Sequence, residues 1–257
     1  MHFVKKIIKT TNLYQMFQRY RVKETFAGWT AHDQEMLEFY SNFISRGALC
    51  FDVGANIGNR VKCFLELQAT VVAIEPQAEC VKTLEAVYGG NRNLKIVPKA
   101  LGEFEGEAEM LLSNVNTISS LSPKWIESVK KSGRFSRYRW DKKQMVAITT
   151  LDKIIEQYGI PAFIKIDVEG FEHQVIKGLS RAVQTLSFEY VPEFIEPAFM
   201  CIDHLQRLGD IRLNYTVGEV MRLALESWVM PQEMVRILSG FKDDTSLFGD
   251  VYVQFVG

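Results

Sequence analysis

Leu49-Cys-Phe-Asp-Val-Gly-Ala-Asn-Ile-Gly58, followed by Val71-Val-Ala-Ile-Glu75-Pro76, sets a glycine turn between an apolar strand and a helix, with an acid downstream. The apolar run stopping at Asp52 predicts a buried parallel strand, and Gly54 and Gly58 let the backbone approach a ligand. Glu75 ends the next apolar strand about 20 residues on, where a carboxylate can take both hydroxyls of a ribose. The pair reads as a nucleoside cofactor site. Asn56 and Ile57 provide neither a lysine nor a third glycine, so a pyrophosphate is poorly cradled, and S-adenosylmethionine fits better than NAD.

Around this unit, strands and helices alternate in the manner of a βαβαβ half. Strands are expected at 48–53, 70–75 and 94–97, with helices near 61–67 and 78–87. A hairpin is expected over 100–112, with turns at Gly102 and Gly106, and then a long polar insertion from Ser113 to Lys143. Later strands are expected at 144–149, 162–167, 186–191, 210–217 and 250–256, interleaved with helices at 151–158, 171–179, 198–208 and 231–238. The 257 residues are 47% hydrophobic and 24% charged, enough for one sizeable core. Residues 1–26 form a basic amphipathic extension, read either as a capping segment packed on the domain or as a peripheral membrane contact. Residues 27–257 are read as one domain.

A net charge of −1 offers no global field for phosphates, so no nucleic-acid partner is expected. Cys50, Cys63, Cys80 and Cys201 have no metal-ligand spacing and read as reduced, buried thiols of a cytoplasmic protein. No metal is expected.

Phe51-Asp-Val-Gly-Ala-Asn-Ile-Gly58, Ile74-Glu-Pro76, Lys99-Ala-Leu-Gly102, Thr149-Thr-Leu-Asp152 and Ile164-Lys-Ile-Asp-Val-Glu-Gly170 resemble the FkbM family of S-adenosylmethionine-dependent methyltransferases, from about Leu49 to about Tyr190. Asn59-Arg60-Val61 departs from the family pattern. The resemblance implies an α/β, Rossmann-like seven-stranded methyltransferase sheet, mostly parallel with an antiparallel last strand and helices on both faces. It also implies O-methylation of a hydroxyl on a sugar, glycan or polyketide-type small molecule. Rival readings are a nucleoside-binding regulatory or scaffold protein without turnover, and an NAD-dependent oxidoreductase.

On this reading Asp52, Gly54, Asn56, Gly58 and Glu75 hold the cofactor, and Ala100 and Leu101 border its adenine by main-chain contact. Strand alternation puts Phe163, Lys165 and Asp167 on one face, with Asp167 at the strand end where open α/β sheets bind ligands. Buried Lys165 needs an acid partner, either Asp167 or one from a neighbouring strand such as Glu189. Asp167 and His173 are the candidate catalytic residues, since a hydroxyl acceptor must lose a proton. Glu169 and Glu172 read equally as functional acids of the site or as helix caps at Gly170. Glu189, Ser119, Ser120, Arg137 and Trp140 are candidate acceptor contacts, the last two in a basic aromatic run that reads equally as a mobile acceptor lid or as a solvated loop with its aromatics packed down. A metal-dependent route through Asp167 and Glu189 has no ligand spacing to support it.

Overall fold

The computed structural model describes residues 28–242 and 244–256, so the extension expected at 1–26 lies outside the described residues. Thr30 opens the first helix, α1 (Ala31–Tyr40), with a capping box: its side chain accepts from Asp33 N–H while the Asp33 carboxylate accepts from the Thr30 N–H. Then follow β1 (Leu49–Val53), α2 (Asn59–Glu66), β2 (Thr70–Ile74), α3 (Ala78–Tyr88), β3 (Leu94–Val97), β4 (Ala100–Leu101), β5 (Gly106–Leu112), α4 (Pro123–Lys131) and β6 (Lys142–Thr149). The second half runs α5 (Leu151–Tyr158), β7 (Phe163–Ile166), α6 (Glu172–Lys177), β8 (Thr185–Tyr190), α7 (Glu196–Leu208), β9 (Ile211–Tyr215), α8 (Pro231–Ser239) and β10 (Gly249–Phe255).

Seven strands form one sheet in the order β3-β2-β1-β7-β8-β10-β9. The pairs β2–β3, β1–β2, β1–β7 and β7–β8 are parallel, and β10 alone runs against its neighbours β8 and β9. The expected Rossmann-like sheet is therefore present, with its antiparallel strand placed inside the sheet. Order reverses between β1 and β7, and open α/β sheets bind ligands at the carboxyl ends of strands at such a switch point.

The central strands are continuous apolar runs because helices cover both faces. On one face Phe51, Val53, Val72, Ile74, Ile164 and Ile166 pack with residues of α5, α6, α7 and α8. On the other, Cys50, Val71, Ala73, Phe163 and Tyr252 pack with Met36, Phe39 and Tyr40 of α1 and with Val61 and Phe64 of α2. All four cysteines are buried and none is in a disulfide.

The hairpin expected over 100–112 is corrected. A second, three-stranded sheet has the order β4-β6-β5, so β6 lies between the two strands expected to pair. β6 takes β5 antiparallel along its whole length and β4 parallel at its end. The insertion is also less polar in its packing than its composition suggests. Trp125, Ile126 and Val129 of α4 are buried with Val191, and Phe135, Tyr138 and Trp140 pack on them. No helix among the described residues is long and apolar enough to cross a membrane.

Candidate functional site

A cavity of about 520 Å³ opens at the switch point. Its floor is the turn after β1. Gly54 has φ +82 and Asn56 φ +49, left-handed conformations that cost a side-chain-bearing residue about 1–2 kcal/mol. Gly54 and Ala55 donate their N–H groups to Ile74 O at 2.9 and 3.2 Å, while Asp167 N–H donates to Val53 O at 2.9 Å, so the turn is stitched to both neighbouring strands. A Cβ on Gly54 would fall within the contact radius of the Asp167 carbonyl oxygen.

Glu75 ends β2 at 2% exposure. Its carboxylate accepts from Asn56 N–H at 2.8 Å and from Gln77 N–H at 2.7 Å, tying the glycine turn to the loop after β2. Burial raises its pKa to about 7 against those two N–H groups. Asp52, also 2% exposed, has an Oδ2 with no hydrogen-bond partner, and burial raises its pKa to about 6 although Arg60 and Lys165 pull the other way.

The end of the cavity beside β7 is organised by charge. Lys165 is fully buried in β7, and its Nζ lies 2.9 Å from Asp250 Oδ1 and 3.4 Å from Asp167 Oδ2. The strand alternation that paired Lys165 with Asp167 holds, and the second acid partner is Asp250 of β10, one strand beyond β8, in place of Glu189. Arg60 of α2 reaches Asp167 Oδ2 at 3.0 Å and Tyr40 Oη at 3.3 Å. The residue that departs from the family pattern thus closes the network. Burial opposes ionisation of Asp167, but Lys165 and Arg60 outweigh it and hold its carboxyl below the usual range.

Beyond Asp167 the loop is tightly constrained. Glu169 has φ +55 and Gly170 φ +84, and a Cβ on Gly170 would collide with the Trp125 ring. Ser120 Oγ donates to Glu169 O at 2.6 Å. Neither candidate acid caps the helix that follows; the Glu172 carboxylate instead braces the loop, accepting from Val168 N–H at 3.2 Å and Gly170 N–H at 3.1 Å. Burial pushes the Glu172 pKa up to about 7. Glu169 is left to point elsewhere, and carboxylate oxygens of Asp167, Glu169 and Glu189 lie within 4.8 Å of one another. Burial first, and then the neighbouring acids, raise the pKa values of Glu169 and Glu189 well above the carboxylate range. Sequence spacing carries no sign of this cluster, because it forms only when β7 and β8 pair.

Among the residues singled out from sequence, the cavity is lined by Asp52, Gly54, Asn56 and Glu75, by Ala100 and Leu101, and by Asp167, Ser119 and Glu189. Gly58, Ser120, Arg137, Trp140 and His173 are not on its wall. Gly58 instead receives the Tyr88 hydroxyl on its carbonyl at 3.2 Å, and Ser120 holds the Glu169 loop. Trp140 donates its indole N–H to Ile118 O at 2.7 Å and packs edge-on against Trp125. Arg134 in the same run forks onto Glu193 at 2.6 and 3.0 Å. The aromatic run is thus folded onto the body of the protein, and Arg137 is exposed. His173 is half-buried, and burial followed by the charge of Lys177 lowers its pKa. Missed from sequence were Arg60, Asp250 and Gln77, as was His32, which lines the cavity rim on α1.

Stability should respond to these acids. Glu75 and Glu172 near 7 and Asp52 near 6 lie above the ~4 of an unfolded carboxyl, so the folded chain binds extra protons between about pH 4 and 7. Their contribution therefore grows as pH falls through that window. Asp33 and Asp167, with lowered values, act in the opposite sense only further down. Thermal melts should show a higher Tm near pH 5.5 than near pH 8, and a Tm that rises steadily with pH over this range would contradict the assignment.

The fold resembles that of solved methyltransferases. The precorrin-6y C5,15-methyltransferase of Geobacter metallireducens superposes with a TM-score of 0.46 at 8% identity, covering 87% of each chain. A TehB-like SAM-dependent methyltransferase of Corynebacterium glutamicum gives 0.45 at 10% identity, covering 93% of this chain and 95% of that one. No curated protein sequence matches the chain. The methyltransferase FkbM domain, however, matches residues 52–228, from the acid before the glycine turn to beyond β9. The chain belongs to the FkbM methyltransferase family.

Proposed function

We propose that the cavity binds S-adenosylmethionine and that the chain transfers its methyl group to a hydroxyl of an uncharged sugar, glycan or similar small molecule. The observation that carries the reading is the orphaned Asp52 Oδ2 beside a glycine turn too tight for a Cβ, in a wall where carboxylates outnumber cations. A buried acceptor without a donor calls for a cationic N–H partner, and the ammonium of a methionine-type ligand provides one. The acids at 33, 52, 75, 167, 169, 189 and 219 outnumber the cations Arg60, Lys62 and Lys99 on the same wall, a balance that disfavours a pyrophosphate or a phosphorylated acceptor. Ser119, with Asn116 and Thr117, offers short polar groups at the rim for a hydroxylated acceptor.

When bound, S-adenosylmethionine supplies an electrophilic methyl group. The chain's own part is alignment: Glu75 and the Asn56 N–H fix the ribose end, Asp52 the ammonium, and the Asp167 network the reacting end. Such positioning is worth up to ~7–11 kcal/mol when geometry is good.

S-adenosylmethionine or S-adenosylhomocysteine at ~100 times its dissociation constant should stabilise the fold by about 2.7 kcal/mol, read as a rise in Tm. Glu75→Ala should shrink that rise, and NAD should give none. Labelled methyl transfer to neutral glycosides should exceed transfer to their phosphates. No shift with millimolar S-adenosylmethionine would overturn the cofactor reading, and binding without transfer to any hydroxylated acceptor would favour a regulatory role.

A further inference from the structure

Three histidines fall among the described residues, and none stands beside Asp167 in the cavity. His32 is at the solvent rim, 3.7 Å from Glu35. His173 is off the wall, and His204 Nε2 lies 2.9 Å from Leu179 O. Asp167 is held by Arg60 and Lys165. Glu169 and Glu189 remain: both line the cavity, and among the described residues no hydrogen bond or ion pair reaches either carboxylate.

We propose that Glu189, assisted by Glu169, is the base that takes the proton from the acceptor hydroxyl. This rests on the reading of the site as an O-methyltransferase. Glu189 sits at the end of a central strand and is therefore rigidly placed. Glu169 is aimed at it by a left-handed residue that four contacts enforce: Ser120 on its carbonyl, Glu172 on the two flanking N–H groups, and Trp125 against Gly170. Strain of this kind persists only where the surroundings over-determine it. In the step, a lone pair of the hydroxyl oxygen forms the new C–O bond as the C–S bond breaks. The sulfur leaves with that electron pair as a neutral thioether, and the hydroxyl proton passes to a Glu189 carboxylate oxygen.

The groups facing Glu189 fix its pH behaviour. They are Asp167 and Lys165 from β7, Glu169 from the loop, Glu172 from α6 and Asp250 opposite it on β10, with Arg60 of α2 held on Asp167 and Glu219 across the cavity. Burial first, and then the negative neighbours, which outnumber the positive ones, raise the proton affinity of Glu189 above that of an ordinary carboxylate.

The test uses the full chain with S-adenosylmethionine, neutral methyl glycosides, and the variants Glu189→Gln and Glu169→Gln. Glu189→Gln should lower kcat by about 10²–10⁴-fold while leaving the cofactor-induced Tm rise intact. Glu169→Gln should keep more activity and move the acid limb of the kcat profile to lower pH, a shift that a merely structural role would not produce. Unchanged kcat in Glu189→Gln overturns the proposal. So does loss of parent turnover with EDTA and its recovery with Mg²⁺, which would make the acids cation ligands. A carbon-13 titration of the glutamate carboxyls with S-adenosylhomocysteine bound decides the matter without an acceptor. Glu189 should titrate above the ordinary ~4.3 and fall in Glu169→Gln. An ordinary value in the parent overturns the assignment. A parent showing no cofactor-induced Tm rise would instead sink the cofactor reading.

Discussion

Gly54→Ala is expected to abolish the Tm rise produced by S-adenosylmethionine and to cost the fold roughly 2–5 kcal/mol. The first part of that cost is conformational: φ is +82, and a left-handed residue with a Cβ loses about 1–2 kcal/mol. The second is steric, because the added carbon meets the Asp167 carbonyl oxygen and overpacking of this kind costs about 1–3 kcal/mol. Relief would push β7 away from β1 at the point where Asp167 N–H donates to Val53 O, widening the cavity floor. Urea unfolding of Gly54→Ala against Gly90→Ala makes the comparison, since a Cβ at Gly90 meets nothing within 4 Å. Equal midpoints for the two variants would show that the turn is not the tight element described above.

Lys165→Met is expected to be still more damaging to stability, by about 3–5 kcal/mol, because it leaves Asp250 and Asp167 facing each other with only Arg60 to offset them. Two features separate this from simple loss of packing. The variant should recover part of the deficit as pH falls, since the abandoned acids can then take up protons, and Lys165→Met with Asp250→Asn should be more stable than Lys165→Met alone. If the double variant is no better and the deficit is independent of pH, the lysine stem, and not its charge, is what the core requires.

The parts of the site legible in the sequence are those made by local chain geometry. The glycine turn, Glu75 at a strand end, and the shared face of Lys165 and Asp167 follow from a strand period of two and a short connection. Contacts between distant strands were not legible. Asp250 reaches Lys165 only because β10 inserts beside β8, and the Glu169–Glu189 approach needs β7 and β8 in register. Gly102 and Gly106 looked like hairpin punctuation because nothing local announces that β6 will come between β4 and β5. His173 was misplaced by equating nearness in sequence with direction. A helix turns about 100° per residue, so three residues after Gly170 the side chain has left the cavity. Glu169 and Glu172 were interchangeable on paper, and only the folded loop, with Gly170 against Trp125 and the Glu172 carboxylate on the Val168 and Gly170 N–H groups, decides that Glu169 is the one lining the cavity.

The place of β10 has a consequence for how the catalytic end comes into being. β9 is made before β10 and yet pairs with nothing but β10 in the main sheet, so β9 can join that sheet only once residues 249–255 exist to bridge it to β8. The pairing of β10 with β8, whether or not β9 is already joined to β10, is a long-range closure of the kind that folds slowly. Asp250 travels with that strand. During synthesis from the N-terminus, the buried ammonium of Lys165 therefore waits for half of its counter-charge until some 85 further residues have emerged, and the first 248 residues can assemble the cofactor turn well before they can settle the charge at the reacting end.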